Sequence, residues 1–126
     1  MGGFLPLSFM ETLEKKIKLN YADTIRLQIL IYCFINKISL SDNEISCLVL
    51  LSSYSNYNLS KFCVKAVEYG IFKSPQTVRN FLVKAVNMGL VKKEDMMIQI
   101  SDKLELKRIG DILLKYNFLY VSKKQS

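Results

Sequence analysis

One short pattern occurs twice between residues 62 and 91, and it constrains the fold more than any other feature of the chain. The first copy is FCVKAVEYGI from Phe62 and the second is FLVKAVNMGL from Phe81, so six positions carry the same residue at a constant offset of 19. Each copy is an apolar stripe that ends in glycine, the residue that most readily adopts the left-handed turn after a helix. The pattern predicts two consecutive amphipathic helices. Whether it also records a duplication stays open, because any two amphipathic helices that end in glycine share much of it.

The segment between the two copies contains a helix start. Ser74 is a suitable N-cap, and Pro75 suits the first helical position. We therefore predict helices over residues 60–69 and 75–88, joined as a helix-turn-helix over residues 60–88, a unit that can present one helix to a nucleic-acid groove. The apolar residues expected to be buried between these helices are Val64, Val67, Val78, Leu82 and Ala85.

The remaining segments predict a mainly α fold with four to five helices and one β-hairpin. Ser41 and Glu44 have the spacing of a capping box, which predicts a helix over residues 41–54. Residues 90–100 are two β-prone stretches around a polar turn, which is typical of a hairpin. Residues 1–9 are interpreted as an extended arm, residues 10–20 stay ambiguous between helix and strand, and a last helix is predicted over residues 103–116. We expect residues 10–126 to form a single domain.

A further helix is predicted over residues 24–36, with Asp23 as its cap. Its apolar residues occupy every face, so it must be covered all round, in part by a second subunit. The residues expected at that protein interface are Ile29, Tyr32 and Phe34. A buried strand is the alternative interpretation of the β-prone run from residue 29 to residue 35.

Charge is distributed unevenly along the chain. Residues 1–68 carry seven Lys/Arg against six Asp/Glu, a net charge of +1, whereas residues 69–126 carry eleven against five, a net charge of +6. Between Glu68 and Glu94 there is no acidic residue at all. A localised positive field of this kind favours a polyanionic partner, nucleic acid first.

Several function classes are disfavoured by what the sequence lacks. It contains no histidine, and its three cysteines, Cys33, Cys47 and Cys63, are not spaced as a Cys-x-x-Cys pair, so we expect no metal site. There is no phosphate-cradling glycine loop, and Cys63 has no evident base, so we expect no enzyme, no cofactor and no small-molecule substrate. The longest apolar run, residues 29–35, is too short to span a bilayer, which predicts a protein without a membrane partner, located in the cytoplasm or inside a virion assembled there.

The second helix of the pair has a polar face that suits nucleic acid. At 100° per residue its apolar residues gather on one side, while Gln76, Arg79, Asn80, Lys84 and Asn87 gather on the other, with Thr77 at the border. Arginine reads guanine and Asn or Gln reads adenine, whereas phosphates require cations without nearby anions. The residues that we expect to contact nucleic acid are Lys73, Gln76, Thr77, Arg79, Asn80, Lys84, Lys92 and Lys93.

The same residues carry a family resemblance. The run SPQTVRNFL from Ser74, followed by Ala85 and by MGLVKK from Met88, resembles the recognition helix and first wing strand of winged helix-turn-helix proteins, most closely the MarR-like and related bacterial or phage regulators. In order of elements the resemblance covers about residues 40–101. It implies a wing over residues 90–100 and a double-stranded DNA partner bound by the second helix.

The sequence thus predicts a winged-helix DNA-binding protein, in the role of a transcriptional regulator. The alternative is a structural or assembly protein, for example a phage virion component, that uses the winged helix to dock on protein. The acidic pair Glu94 and Asp95 at the wing tip, and the apolar Phe81, Val83 and Val86, favour the alternative because they depart from the family pattern. We expect a homo-oligomer or a larger protein assembly in either case.

Overall fold

A computed structural model describes residues 8–108 and 110–121 of the chain. The chain divides into two compact units, one formed by Asn20–Ile109 and the other by its two ends, Met1–Leu19 and Gly110–Ser126. The single domain expected over residues 10–126 stays a prediction. Residues 1–7 of the expected N-terminal arm lie outside the described residues, and residues 8 and 9 belong to a strand.

The described chain contains four α-helices and five strands in two small antiparallel sheets, so it has more strand than the mainly α prediction allowed. The elements in chain order are β1 (Ser8–Ile17), α1 (Tyr21–Ile35), α2 (Asp42–Ser52), β2 (Tyr57–Asn58), α3 (Leu59–Glu68), α4 (Pro75–Asn87), β3 (Val91–Glu94), β4 (Met97–Ile100), a single 3₁₀ turn (Asp102–Leu104) and β5 (Ile112–Val121).

All four helices of the unit Asn20–Ile109 match predicted ones. The cap of α1 is Asn20 and not Asp23: the Asn20 side chain accepts a hydrogen bond from the Asp23 backbone, which adds a turn to the predicted helix. Ser74 caps α4 with Pro75 in its first turn, as predicted. Within the described residues, these helices are too short or too polar to cross a membrane.

The predicted hairpin forms from β3 and β4, with Val91 opposite Ile100. A third strand was not predicted: β2 pairs with β4, so the strand order is β2-β4-β3. No strand was expected over residues 55–58, because β2 is only two residues long and has no alternating pattern to reveal it. Its pairing draws the start of α3 against the hairpin, where the Leu59 backbone N–H donates to the Met96 carbonyl over 2.7 Å.

The helix predicted over residues 103–116 is wrong. The chain makes the 3₁₀ turn and then takes a left-handed conformation at Glu105 (φ 49°), which ends any helix there. Residues 112–121 pair antiparallel with β1 over ten residues, from Ile17–Ile112 to Ser8–Val121. Leucine and isoleucine at helical spacing are equally compatible with a strand, and the distant partner strand decides the outcome.

The two-stranded ribbon β1–β5 accounts for the described part of the second unit except residues 18–19 and 110–111. Large apolar side chains are exposed on it, among them Met10, Leu113 and Leu119. An isolated two-stranded ribbon is marginal in water, and three or more strands or a covering element are usually needed for stability. The ribbon therefore has apolar surface that a partner could cover.

The core of the unit Asn20–Ile109 is built from all four helices and the hairpin. Phe62 of α3 is its largest fully buried side chain, and the Tyr57 ring lies against it edge-on at 6.5 Å between centroids.

Helix α4 buries one side, which consists of Val78, Phe81, Leu82 and Ala85. Three of the five residues expected to be buried between α3 and α4 are therefore buried. Val67 is half-buried, and Val64 is 50 % exposed because α3 turns Phe62, Cys63 and Ala66 to the core instead.

The repeated sequence pattern corresponds to two equivalent helix ends. After α3, Gly70 has φ 75° and the Ile71 N–H donates to the Ala66 carbonyl over 2.9 Å. After α4, Gly89 has φ 77° and the Leu90 N–H donates to the Ala85 carbonyl over 2.9 Å. Each glycine takes a left-handed conformation that closes the last turn, which accounts for the recurrence of Gly in both copies.

The predicted capping box at the start of α2 is present and reaches α4. The Glu44 carboxylate accepts a hydrogen bond from the Ser41 backbone, and its other oxygen lies 3.2 Å from Lys84 Nζ. Partial burial raises the pKa of Glu44, but the Ser41 and Lys84 contacts together outweigh it, so that this pKa lies below its ordinary value of 4.5. A carboxyl whose pKa is lowered by folding stabilises the fold above its ordinary pKa and ceases to do so as the pH falls through the folded value.

Leu82→Ala should lower the free energy of unfolding by about 2–5 kcal/mol, since the side chain is 2 % exposed and its removal leaves a cavity. Val83→Ala, one residue further along the same helix, should change it by less than about 0.5 kcal/mol, since Val83 is 62 % exposed. Urea denaturation of the two variants checks the orientation of α4. Equal losses of stability would show that α4 is rotated from the described position.

Glu44→Gln should cost about 1 kcal/mol of stability at pH 7, because glutamine keeps the capping geometry but removes the charge that faces Lys84. The difference between wild type and variant should shrink as the pH falls below 4.5, where the wild-type carboxyl is increasingly protonated. Denaturation midpoints measured between pH 3 and pH 7 (about the range over which carboxyls titrate) test this. Parallel curves for the two proteins would contradict it.

Candidate nucleic-acid interface

The outward side of α4 is determined by the side that it buries. With Val78, Leu82 and Ala85 in the core, Gln76, Asn80, Val83 and Asn87 are exposed. These four positions are spaced by four, three and four residues, so they form one line along the helix. We name this line of residues the α4 stripe.

The stripe lies at a shallow groove between α4 and the hairpin. The groove has a volume of ≈ 310 Å³, and its floor includes Leu59 and Ile98. Lys93 lines it from β3, where its cross-strand partner is Ile98. The whole α4 stripe lines it from the helix. The arrangement therefore combines amides, an exposed valine and a lysine around an apolar floor.

Four of the eight residues predicted to contact nucleic acid meet at this groove: Gln76, Arg79, Asn80 and Lys93. Lys92 does not, because alternate residues of a strand point to opposite faces and Lys92 shares its face with Gln99. Lys73 and Thr77 are exposed at the start of α4. The Thr77 hydroxyl lies 2.9 Å from the Ser74 hydroxyl of the cap.

Two of the predicted cations on α4 already have protein partners. Arg79 is half-buried, and its guanidinium donates to the Ser60 hydroxyl of α3 over 2.9 Å. Lys84 is the lysine that faces Glu44 on α2. Both side chains tie α4 to a neighbouring helix, so they are less available to a partner than their sequence positions suggested.

The amides on the stripe are linked to one another. The Gln76 amide nitrogen donates to the Asn80 amide oxygen over 2.9 Å, along the i to i+4 direction of the helix. The Asn80 amide nitrogen consequently points its hydrogens away from Gln76. Val83 and Asn87 were not among the residues predicted to contact nucleic acid, although their spacing from Gln76 and Asn80 identifies them once the buried side of α4 is known.

Cys63, which lies beside Arg79, is unsuited to nucleophilic chemistry. Burial raises its pKa, and the charge of Arg79 offsets this only in part. Burial also raises the pKa of Cys47 to about 12. Both thiols stay protonated at neutral pH and fill the core as small apolar groups.

The three residues predicted at a protein interface on α1 separate in the structure. Ile29 is fully buried in the core of its own chain, so that prediction is wrong: α1 turns Ile25, Ile29 and Cys33 inward at helical spacing. Tyr32 is half-buried against the same core. Phe34 is 86 % exposed, and Leu30, Ile31 and Ile35 are exposed beside it.

Comparison with known proteins gives no family assignment for this arrangement: the chain matches no protein-family model, and it has no significant match among curated proteins or among solved structures.

Proposed function

We propose that the chain binds double-stranded DNA as a winged helix and acts in transcriptional control. Helix α4 enters the major groove, and the β3–β4 hairpin is the wing. The observation that carries the proposal is the α4 stripe, an exposed helix face with three amides and no carboxylate, beside Lys93 on the hairpin.

The order of elements supports this proposal. Helix α2, strand β2, helices α3 and α4, and the hairpin follow one another in the sequence expected of a winged helix, and β2 closes the hairpin into three strands. A B-DNA major groove is wide enough to admit one α-helix. Because Phe81 and Leu82 anchor α4 to the core, the exposed side chains are presented on a rigid element.

Charge around α4 supports it as well. Residues 69–93 contain no acid, and Lys73, Lys92 and Lys93 are exposed cations before and after the helix. Arg79 and Lys84 act mainly by holding α4 in place, so phosphate contacts are assigned to these three lysines. Glu94 and Asp95 at the hairpin turn repel phosphates, so the tip of the hairpin cannot approach the DNA backbone closely. The β3 side chains nearer to α4 are therefore the ones expected to contact phosphates.

Lys73→Ala/Lys93→Ala should weaken binding to duplex DNA and reduce the slope of log affinity against log salt by about 0.9 for each phosphate that the variant no longer neutralises. Fluorescence anisotropy titrations at two salt concentrations measure both quantities. Lys37→Ala/Lys107→Ala is the matched control, since it removes the same charge at exposed positions outside the α4–hairpin surface. Equal behaviour of the two double variants would overturn the proposal.

The alternative function is that of a structural or assembly protein, and a specific observation favours it. Leu30, Ile31, Phe34 and Ile35 form one exposed apolar patch on α1, and the β1–β5 ribbon exposes further apolar side chains. Contiguous apolar surface usually marks contact with protein. The docking face first expected for this function, Phe81, Val83 and Val86, is not intact, because Phe81 is buried.

Phe34→Ser/Ile35→Ser should shift the protein from an oligomer to a monomer if the α1 patch is an interface between copies, because Phe34 and Ile35 are its most exposed members. Sedimentation velocity at micromolar concentration is the measurement. Val64→Ser, at an exposed position of α3, is the control and should leave the oligomer intact. A wild-type protein that sediments as a monomer would contradict self-association through this patch.

A further inference from the structure

We propose that α4 reads A·T base pairs from the major groove, with Asn80, which Gln76 orients, on adenine and Val83 on the thymine methyl group. The inference rests on the proposed function and deepens it, because it specifies the base pairs that the α4 stripe recognises. Three features support it: the amide pair, the exposed valine and the engagement of the two α4 cations.

The amide pair has the groups that the major-groove edge of adenine requires. Adenine presents the N7 acceptor and the N6 amino donor, and a single Asn or Gln amide satisfies both. The hydrogen bond from Gln76 fixes the Asn80 amide through its oxygen, and leaves the Asn80 NH₂ group to donate to N7. The Asn80 oxygen retains a second lone pair for the N6 amino group. An amide held in this way loses less side-chain entropy on binding than a freely rotating one.

Val83 supplies the apolar contact. It lies close to one helical turn after Asn80 in the middle of the stripe, and it is exposed although it is apolar. The half-buried Val86 lines the groove beside it. Among the groups that base pairs present in the major groove, the thymine C5-methyl is the apolar one. The thymine must lie near the adenine that Asn80 contacts, at a distance of about one turn of α4. Its methyl group would then lie against Val83.

Guanine recognition is disfavoured by the same geometry. Guanine is read by arginine or lysine on its O6 and N7 acceptors. Both cations of α4 are engaged within the protein, Arg79 with Ser60 and Lys84 with Glu44. Release of either side chain would break an interaction between helices, so α4 itself offers no unengaged cation to a G·C pair opposite the stripe.

Three duplexes of one length test the proposal in anisotropy titrations at one salt concentration: a mixed A·T sequence, the same sequence with deoxyuridine for thymidine, and the same sequence with 7-deaza-deoxyadenosine for deoxyadenosine. A G·C duplex is the reference. Wild type should bind the A·T duplex roughly tenfold or more tightly than the G·C duplex. Removal of the methyl group, or of N7, should each weaken binding by about fivefold.

The variants assign each effect to its residue. Val83→Ala should bind the thymidine and deoxyuridine duplexes equally, and Asn80→Ala should bind the adenine and 7-deazaadenine duplexes equally. Val64→Ala, at an exposed position of α3, should keep both discriminations. All three changes are at exposed positions, and circular dichroism establishes that the variants are folded.

The outcomes separate this inference from the proposed function. If wild type binds the A·T and G·C duplexes with equal affinity, the A·T reading is overturned and the DNA-binding function stands. A preference for A·T that survives both base substitutions also overturns it, since the preference would then come from the minor groove or from DNA shape. If wild type binds none of the duplexes, the proposed function itself is overturned.

Discussion

The burial of one side of α4 is the constraint on which the candidate site depends. Val78, Phe81, Leu82 and Ala85 lie in the core, and this fixes the rotation of the helix about its axis. A helix with 3.6 residues per turn that buries these positions must expose Gln76, Asn80, Val83 and Asn87. The composition of the exposed stripe therefore follows from the packing of the core.

Polar contacts complete the placement of α4 and change the roles of its charged side chains. Arg79 bonds to Ser60 on α3, and Lys84 pairs with Glu44 in the capping box of α2. Each contact links two helices, so the cations that looked most suited to nucleic acid in the sequence contribute to the architecture. Under the proposed function, recognition would be left to amides and to one valine, and the positive charge to lysines outside the helix.

The two proposed functions use different surfaces and are compatible in one protein. DNA binding would use α4 and the hairpin, which belong to the unit Asn20–Ile109. Assembly would use the apolar patch on α1 or the β1–β5 ribbon. Many DNA-binding proteins recognise two half-sites as symmetric dimers, so self-association through a separate surface would strengthen the first function.

The sequence by itself determined the elements whose signals are local. The Ser41–Glu44 capping box, the Ser74–Pro75 start of α4, the glycine ends at Gly70 and Gly89 and the β3–β4 hairpin each arise from residues within a few positions of one another. Short-range hydrogen bonds and backbone preferences are sufficient to place such features. The polar side of α4 was predicted for the same reason.

Tertiary structure decided what depends on distant partners. Residues 112–121 form a strand because β1, about a hundred residues earlier in the chain, pairs with them, although their apolar spacing also suits a helix. Ile29 is a core residue, and the α1 surface is formed by Phe34 and its neighbours, because packing against α2 selects one face of a helix that is apolar all round. Tertiary structure also decided that Arg79 and Lys84 contact Ser60 and Glu44 and are thereby less available to a partner molecule. The sequence of α4 alone could not predict these contacts, because Ser60 and Glu44 lie on other helices.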